Sequence, residues 1–131
     1  MLRQGPLSAF LHGLIEYALG VLCIAAPFIF GFDRGSGKAA AIVIGVLILA
    51  VGASSDLPTG LAKTIPTAIH ASLDFVLAAI LIASPFLFGF SGDGNATAFF
   101  IVAGVGYLLV TIATRFLPPR AAVAEGSRPG R

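Results

Sequence analysis

Charge is scarce in this sequence. Eight Lys and Arg with six Asp and Glu make 11% of the 131 residues, against 57% in the hydrophobic set. An average soluble domain carries about 25% charged residues, so these few cannot clothe a water-soluble globule of such apolar content. With a mean hydropathy of +0.99, lipid is the expected solvent for most of the surface, and membrane lipid the expected first partner. The formal charge is only +2, and no basic stripe alternates with aromatics as a nucleic-acid groove requires, which excludes nucleic acid as a partner. Cys23 is the single cysteine, so an intrachain disulfide and a CxxC metal or redox site are both excluded; a small buried hydrophobe is the expected role.

Catalytic signatures are equally thin. There is no Ser-His-acid or Cys-His arrangement and no HExxH, and the polar loops are too short to hold a soluble substrate. No enzyme is expected, lipid chemistry by histidine and acid pairs being the exception, and no cofactor is assigned. Gly35-Ser36-Gly37-Lys38 lacks the first glycine of a phosphate loop and has Ala39 in place of Ser or Thr. Asn95-Ala96-Thr97 has glycosylation spacing but abuts an apolar run.

What the chain does contain is a duplication. Leu11 to Phe32 is written again at Ala68 to Phe90, offset by 58, and nine of the 21 positions from His12 to Phe32 are identical. His12 falls on His70, Glu16 on Asp74, Tyr17 on Phe75 and Pro27 on Pro85. One unit used twice is the organising fact. Repeat 1 is read as residues 1–54, with spans of about 11–32 and 39–54 separated by a polar, glycine-rich turn. Residues 55–65 are a connection holding at most one short turn of helix. Repeat 2 is 66–117, with spans of about 66–88 and 96–116, and residues 118–131 form a basic tail with little to bury. Each run approaches the roughly 20 residues needed to cross an ~30 Å hydrocarbon core. The basic start and the small residues before Pro27 are read as part of a retained anchor, since three further apolar runs follow. The predicted fold is all-α: a four-span transmembrane bundle of two tandem, parallel two-helix repeats.

Orientation follows from the span ends. Arg3, Lys63, Arg115, Arg120, Arg128 and Arg131 fall on one side and only Arg34 and Lys38 on the other. This predicts a multi-pass protein of the cell membrane with both termini cytoplasmic.

Pro27 and Pro85 are expected to bend spans 1 and 3, because proline cannot donate to the carbonyl four residues back, here Cys23 and Leu81. The Ser84 hydroxyl is placed to take the freed Leu81 carbonyl, and the aromatics after each proline are expected at the outer interface. Ala26-Pro27-Phe28 and Ser84-Pro85-Phe86, each in the first span of a duplicated two-span unit, resemble the SPW-repeat family of small membrane proteins. Both lack the tryptophan, and the first lacks the serine. The resemblance covers roughly Leu11 to Phe116 and implies fold and membrane location, with no activity or catalytic residue to carry over.

The functional candidates are His12 with Glu16 and His70 with Asp74, i,i+4 pairs that each share a helical face. At 1.5 Å per residue Glu16 lies about 7 Å along its helix from Leu11, and Asp74 about 12 Å from Pro66. An acid at that depth turns to a protein interior, a partner or a water path. Convergence of the two faces would give a four-residue polar cluster able to relay protons, bind a cation or satisfy a transition metal. The plainer reading has each acid bonded to its own histidine, Tyr17 or Ser72, locking the bundle, and it is preferred. Packing notches are expected at Gly20, Ala41, Gly45, Ala79, Ala83 and Gly104, where small residues let helix backbones approach. The functional expectation is a structural or accessory membrane component, alone, as a homodimer or in a larger membrane complex; the alternative is a proton-coupled or small-solute transporter or channel acting as a homo-oligomer.

Overall fold

A computed structural model describes residues 5–116; the basic tail expected at 118–131 lies outside the described residues. Four helices form: α1 (Ala9–Ile29), α2 (Gly35–Ser54), α3 (Thr67–Leu87) and α4 (Gly94–Ala113). All four are long and apolar enough to cross a membrane. α1 begins where the Ser8 hydroxyl accepts the Leu11 N–H, and α4 where the Asp93 carboxylate accepts the Ala96 N–H. α2 corrects the expected start at 39. Gly35-Ser36-Gly37-Lys38 is its first turn, with the Lys38 N–H bonded to the Arg34 carbonyl, so the span has 20 residues rather than 16. α4 also starts earlier than expected and stops earlier, giving way to a two-residue strand at Thr114–Arg115.

The bundle is two hairpins, α1 with α2 and α3 with α4. A Cβ on Gly45 would stand 2.7 Å from the Gly20 carbonyl oxygen, and one on Gly104 would stand 3.1 Å from that of Ala78. These are equivalent crossings, since Ala78 is the repeat of Gly20, and only glycine allows each backbone approach. The second helix of each unit repeats at an offset of 59, not 58: Gly35 matches Gly94 and Gly45 matches Gly104. The extra residue sits in the turn 91–93. Ala41 is buried, but Ala79 is exposed and Ala83 half-buried, so the α3 seam runs one position earlier, through the fully buried Ala78.

Both proline segments end their helices in the same way. Gly31 and Gly89 take φ of 61° and 70°, the Phe30 and Phe88 N–H groups bond to Ala26 and Ser84, and the Phe32 and Phe90 N–H groups reach back to the carbonyls of Pro27 and Pro85. This is a Schellman cap, which requires a residue tolerant of the left-handed conformation between cap and closing donor. The prolines therefore lie in the last turns of α1 and α3. The Ser84 hydroxyl bonds to the Ile80 carbonyl, not to Leu81, because the i−4 carbonyl lies directly beneath it. Phe28 and Phe86 are exposed on the bundle surface, whereas Phe32 and Phe90 turn into the core. There Phe32 meets Phe99 and Phe100, and Phe90 meets Phe100.

At the end of the bundle that holds these caps, Asp93 ties the two reversals together. Its Oδ2 accepts the Asp33 N–H at 2.7 Å and the Arg34 N–H at 3.1 Å, while Asn95 donates to the Phe30 carbonyl at 2.9 Å. Desolvation alone would raise the Asp93 carboxyl; the backbone N–H groups of Arg34, Ala96 and Asp33, with the Arg34 charge, outweigh it and hold the group below its ordinary value.

The opposite end gathers the remaining turns. Leu7 and Ser8 pair in parallel with Thr114 and Arg115, and Ser55 pairs in parallel with Ile65. These are equivalent pairings, one joining the start of repeat 1 to the end of repeat 2 and the other the end of repeat 1 to the start of repeat 2. The connection 55–66 contains no helical turn. Instead it folds on itself, with Leu61 and Ala62 bonded to Ala53 and with Thr64 and Ile65 bonded to Ser54. Both helix starts and both helix exits thus lie at one end of the bundle, as tandem parallel hairpins require.

Candidate functional site

Glu16 and Asp74 each stand seven residues into their helices, at 16 from Ala9 and 74 from Thr67, or about 10 Å. His12 and His70 lie one turn nearer the shared end. All four side chains turn inward, and each is between 0 and 1% exposed. α1 and α3 face one another across the bundle, and these side chains join them. His12 Nε2 is 2.9 Å from Asp74 Oδ2 and 3.6 Å from Glu16 Oε2; His70 Nε2 is 2.9 Å from Asp74 Oδ2 and 3.2 Å from Glu16 Oε2. Each histidine therefore meets the acid of the other repeat as well as its own. The preferred arrangement, separate local pairs, is replaced by convergence because the i,i+4 faces of α1 and α3 both look along the pseudo-axis.

A fifth residue completes the cluster. The Tyr107 hydroxyl on α4 lies 2.8 Å from Glu16 Oε2 and 2.6 Å from Asp74 Oδ1, bridging the two acids. Tyr17 and Ser72, expected as partners, are not in the cluster: Tyr17 donates to the Thr59 carbonyl and Ser72 to the Ala68 carbonyl. The Tyr107 signal was present in the sequence as a polar ring in an otherwise apolar span. At the offset of 59 its repeat partner is Ile48, so the duplication is broken at the bundle centre, and a buried tyrosine hydroxyl requires a partner.

The outer nitrogens of both rings are fixed by equivalent hydroxyls. His12 Nδ1 meets Thr114 Oγ1, and His70 Nδ1 meets Ser55 Oγ. Each hydroxyl also lies on the carbonyl four residues earlier, Val110 for Thr114 and Val51 for Ser55. A carbonyl has no proton to give, so the single hydroxyl hydrogen goes there and the hydroxyl accepts from the ring. Both histidines thus carry a proton on Nδ1 and direct Nε2 at the carboxylates. For His12 that direction makes a hydrogen bond to Asp74. For His70 it does not: its Nε2 is the one buried side-chain N or O atom without a hydrogen-bond partner among the described residues, its carboxylate neighbours lying close but off the bond direction.

Apolar walls close the site. The Phe116 ring packs at 5.0 Å on His12 and 6.2 Å on His70, and Gly52 leaves room for the Glu16 carboxylate, since a Cβ there would stand 2.5 Å from Oε1. The larger cavities lie elsewhere. One of about 530 Å³ opens between α1 and α4 beside Leu22 and Phe99, and one of about 410 Å³ opens between α2 and α3 beside Val43 and Ile80. Both are apolar grooves in the lipid-facing surface. One potential ligand atom from each of His12, Glu16, His70 and Asp74 lies within 4.8 Å of the other three, a spacing that admits one small cation.

Comparison with known proteins adds the family and no chemistry. No curated protein and no solved structure matches the chain. The family model for the SPW repeat domain matches residues 10–114, which takes in all four helices, both proline segments and the whole polar cluster. The chain is accordingly a membrane protein that belongs to the SPW repeat family.

Proposed function

We propose that this protein is a structural or accessory component of the cell membrane, without enzymatic activity, whose two hairpins are locked together by a buried polar centre. One observation carries the reading: His12, Glu16, His70 and Asp74 are at most 1% exposed and meet across the repeats at 2.9 and 3.2 Å. In lipid, apolar surface gives helices little reason to associate, and interhelical polar contacts and close packing do that work instead. A charge pair so enclosed is costly to break, because removing one partner leaves the other unpaired in a low-dielectric interior, at about 3–5 kcal/mol. The outward apolar surface suits lipid, a second copy or a larger membrane assembly. The bias of basic residues along the sequence, six (Arg3, Lys63, Arg115, Arg120, Arg128 and Arg131) against two (Arg34 and Lys38), favours cytoplasmic termini.

The alternative, a proton path through the same residues in a homo-oligomer, is favoured by the continuous contact from the histidines through the acids to Tyr107. Glu16→Gln with Asp74→Asn separates the two. Locking predicts a lower unfolding temperature in detergent and no pH-driven proton flux from wild-type proteoliposomes. Flux in the wild type that disappears in the double variant would replace the structural reading with transport. Reporter tags at both termini and near Gly60 should all report the cytoplasm, and one appearing outside would overturn the orientation.

A further inference from the structure

We infer that His12, Glu16, His70 and Asp74 form a binding site for one divalent transition-metal ion of the zinc class, held by the two imidazole Nε2 atoms and one oxygen from each carboxylate. The inference rests on the reading of this cluster as the lock between the hairpins, and it names the ligand of that same site.

Geometry is the first support. Four ligands at about 2.0–2.2 Å around a tetrahedral ion stand about 3.3–3.6 Å from one another. The four histidine-to-carboxylate separations are 2.9, 2.9, 3.2 and 3.6 Å, and every pair among the four atoms is within 4.8 Å. The four histidine-to-carboxylate separations need shifts of a few tenths of an ångström, and the widest pair, within 4.8 Å, closes by about an ångström through side-chain rotation.

The second support is independent of those distances. His70 Nε2 is buried, aimed into the cluster and without a hydrogen-bond partner. With the Nδ1 proton held by Ser55, the Nε2 edge faces two carboxylate oxygens at 2.9 and 3.2 Å off the hydrogen-bond direction, so positive charge is required at that edge: a second ring proton in the metal-free lock, exchanged for a metal ion when the site is loaded. A metal ion meets that need for both rings at once. The hydroxyls of Ser55 and Thr114 then serve as the outer partners that ligating histidines ordinarily have, holding tautomer and ring plane. Tyr107 does the same for the carboxylates.

Charge and donor type narrow the ion. Once the ion has displaced the Nε2 protons, two carboxylates with two neutral imidazoles carry a charge of −2, which a divalent ion cancels, leaving a neutral centre suited to a lipid-embedded bundle. Two nitrogen and two oxygen donors within a small closed space suit zinc and its first-row neighbours. They do not suit calcium, which takes six to eight oxygens, or magnesium, which keeps its waters.

The test uses the full chain purified in mild detergent without a histidine tag and stripped with a chelator, then titrated with Co²⁺ and with Zn²⁺. One equivalent of Co²⁺ should give the visible absorption of a four-coordinate nitrogen and oxygen site, and Zn²⁺ should displace it and raise the unfolding temperature. His70→Gln should abolish the signal. Ser55→Ala, which leaves all four ligands in place, should weaken Co²⁺ binding about 10–100-fold. Absence of a stoichiometric Co²⁺ band in the wild type would overturn the metal site, as would a band unchanged in both variants. The lock is read separately, in chelator, from the unfolding temperature of Glu16→Gln with Asp74→Asn. A fall there with no metal bound by the wild type sinks the ion and leaves the lock, whereas metal binding without that fall sinks the lock and leaves the ion.

Discussion

Replacing Tyr107 with phenylalanine removes one oxygen from the centre of the bundle and nothing else, which makes it the most discriminating perturbation available. The residue is 2% exposed, and its hydroxyl lies 2.8 Å from Glu16 Oε2 and 2.6 Å from Asp74 Oδ1. A single hydroxyl hydrogen serves one carboxylate at a time, so the variant loses one charge-assisted hydrogen bond, about 1.5–3 kcal/mol. The second acid also loses a polar neighbour and faces a ring edge, so the total should come to about 2–4 kcal/mol. Tyr17→Phe is the matched control. It deletes a neutral bond to the Thr59 carbonyl on a partly buried ring and should cost about 0.5–1.5 kcal/mol. The chain supplies its own reporter: Cys23 is the only cysteine and is fully buried, so a thiol-reactive dye labels it only on unfolding. Thermal ramps in detergent with that dye should put Tyr107→Phe below Tyr17→Phe, and a cycle with Asp74→Asn should show a coupling of at least about 1 kcal/mol. Equal midpoints for the two tyrosine variants would show that ring packing, not the hydroxyl bridge, holds the centre, and the locking argument would fail with it.

Two further predictions concern packing and the turns that follow α1 and α3. Gly45→Ala puts a Cβ 2.7 Å from the Gly20 carbonyl oxygen, so α1 and α2 must part; it should cost about 1–3 kcal/mol, whereas Gly106→Ala, into open space, should be neutral or slightly stabilising in the same thermal ramp. Asp93→Asn should remove a pH dependence. The Asp93 carboxyl sits below its ordinary value of 3.8 in the folded chain, so its contribution is full above that value and is lost as pH falls toward the lower native one. Unfolding midpoints measured from neutral to acid pH should therefore fall less in Asp93→Asn than in wild type; parallel curves would remove Asp93 from the account.

The sequence by itself determined the architecture. A hydrophobic run of about 20 residues has few options in lipid, since every backbone polar group must be satisfied within it, and helices do that locally. The duplication at an offset of 58 then made the second hairpin a copy of the first, and an acid seven residues into a span had to find a polar partner. The polar, glycine-rich reversal after span 1 was legible, whereas the caps at Gly31 and Gly89 and the inward turn of Phe32 and Phe90 came from the structure, since the rings depend on what the caps pack against. What only the tertiary structure decided is which partners the acids and histidines take. Tyr107 is far along the chain from Glu16 and Asp74, as Thr114 is from His12, and the Ser55 and Thr114 hydroxyls also have the local i−4 carbonyl within reach, so sequence cannot rank their partners. Ala79 and Ala83 show the same limit, because small residues recur on several faces of an apolar helix and only the crossing point selects Ala78. Helices form from contacts a few residues apart, while the polar centre forms from side chains meeting across the bundle axis, and that meeting is fixed by how two rigid hairpins pack.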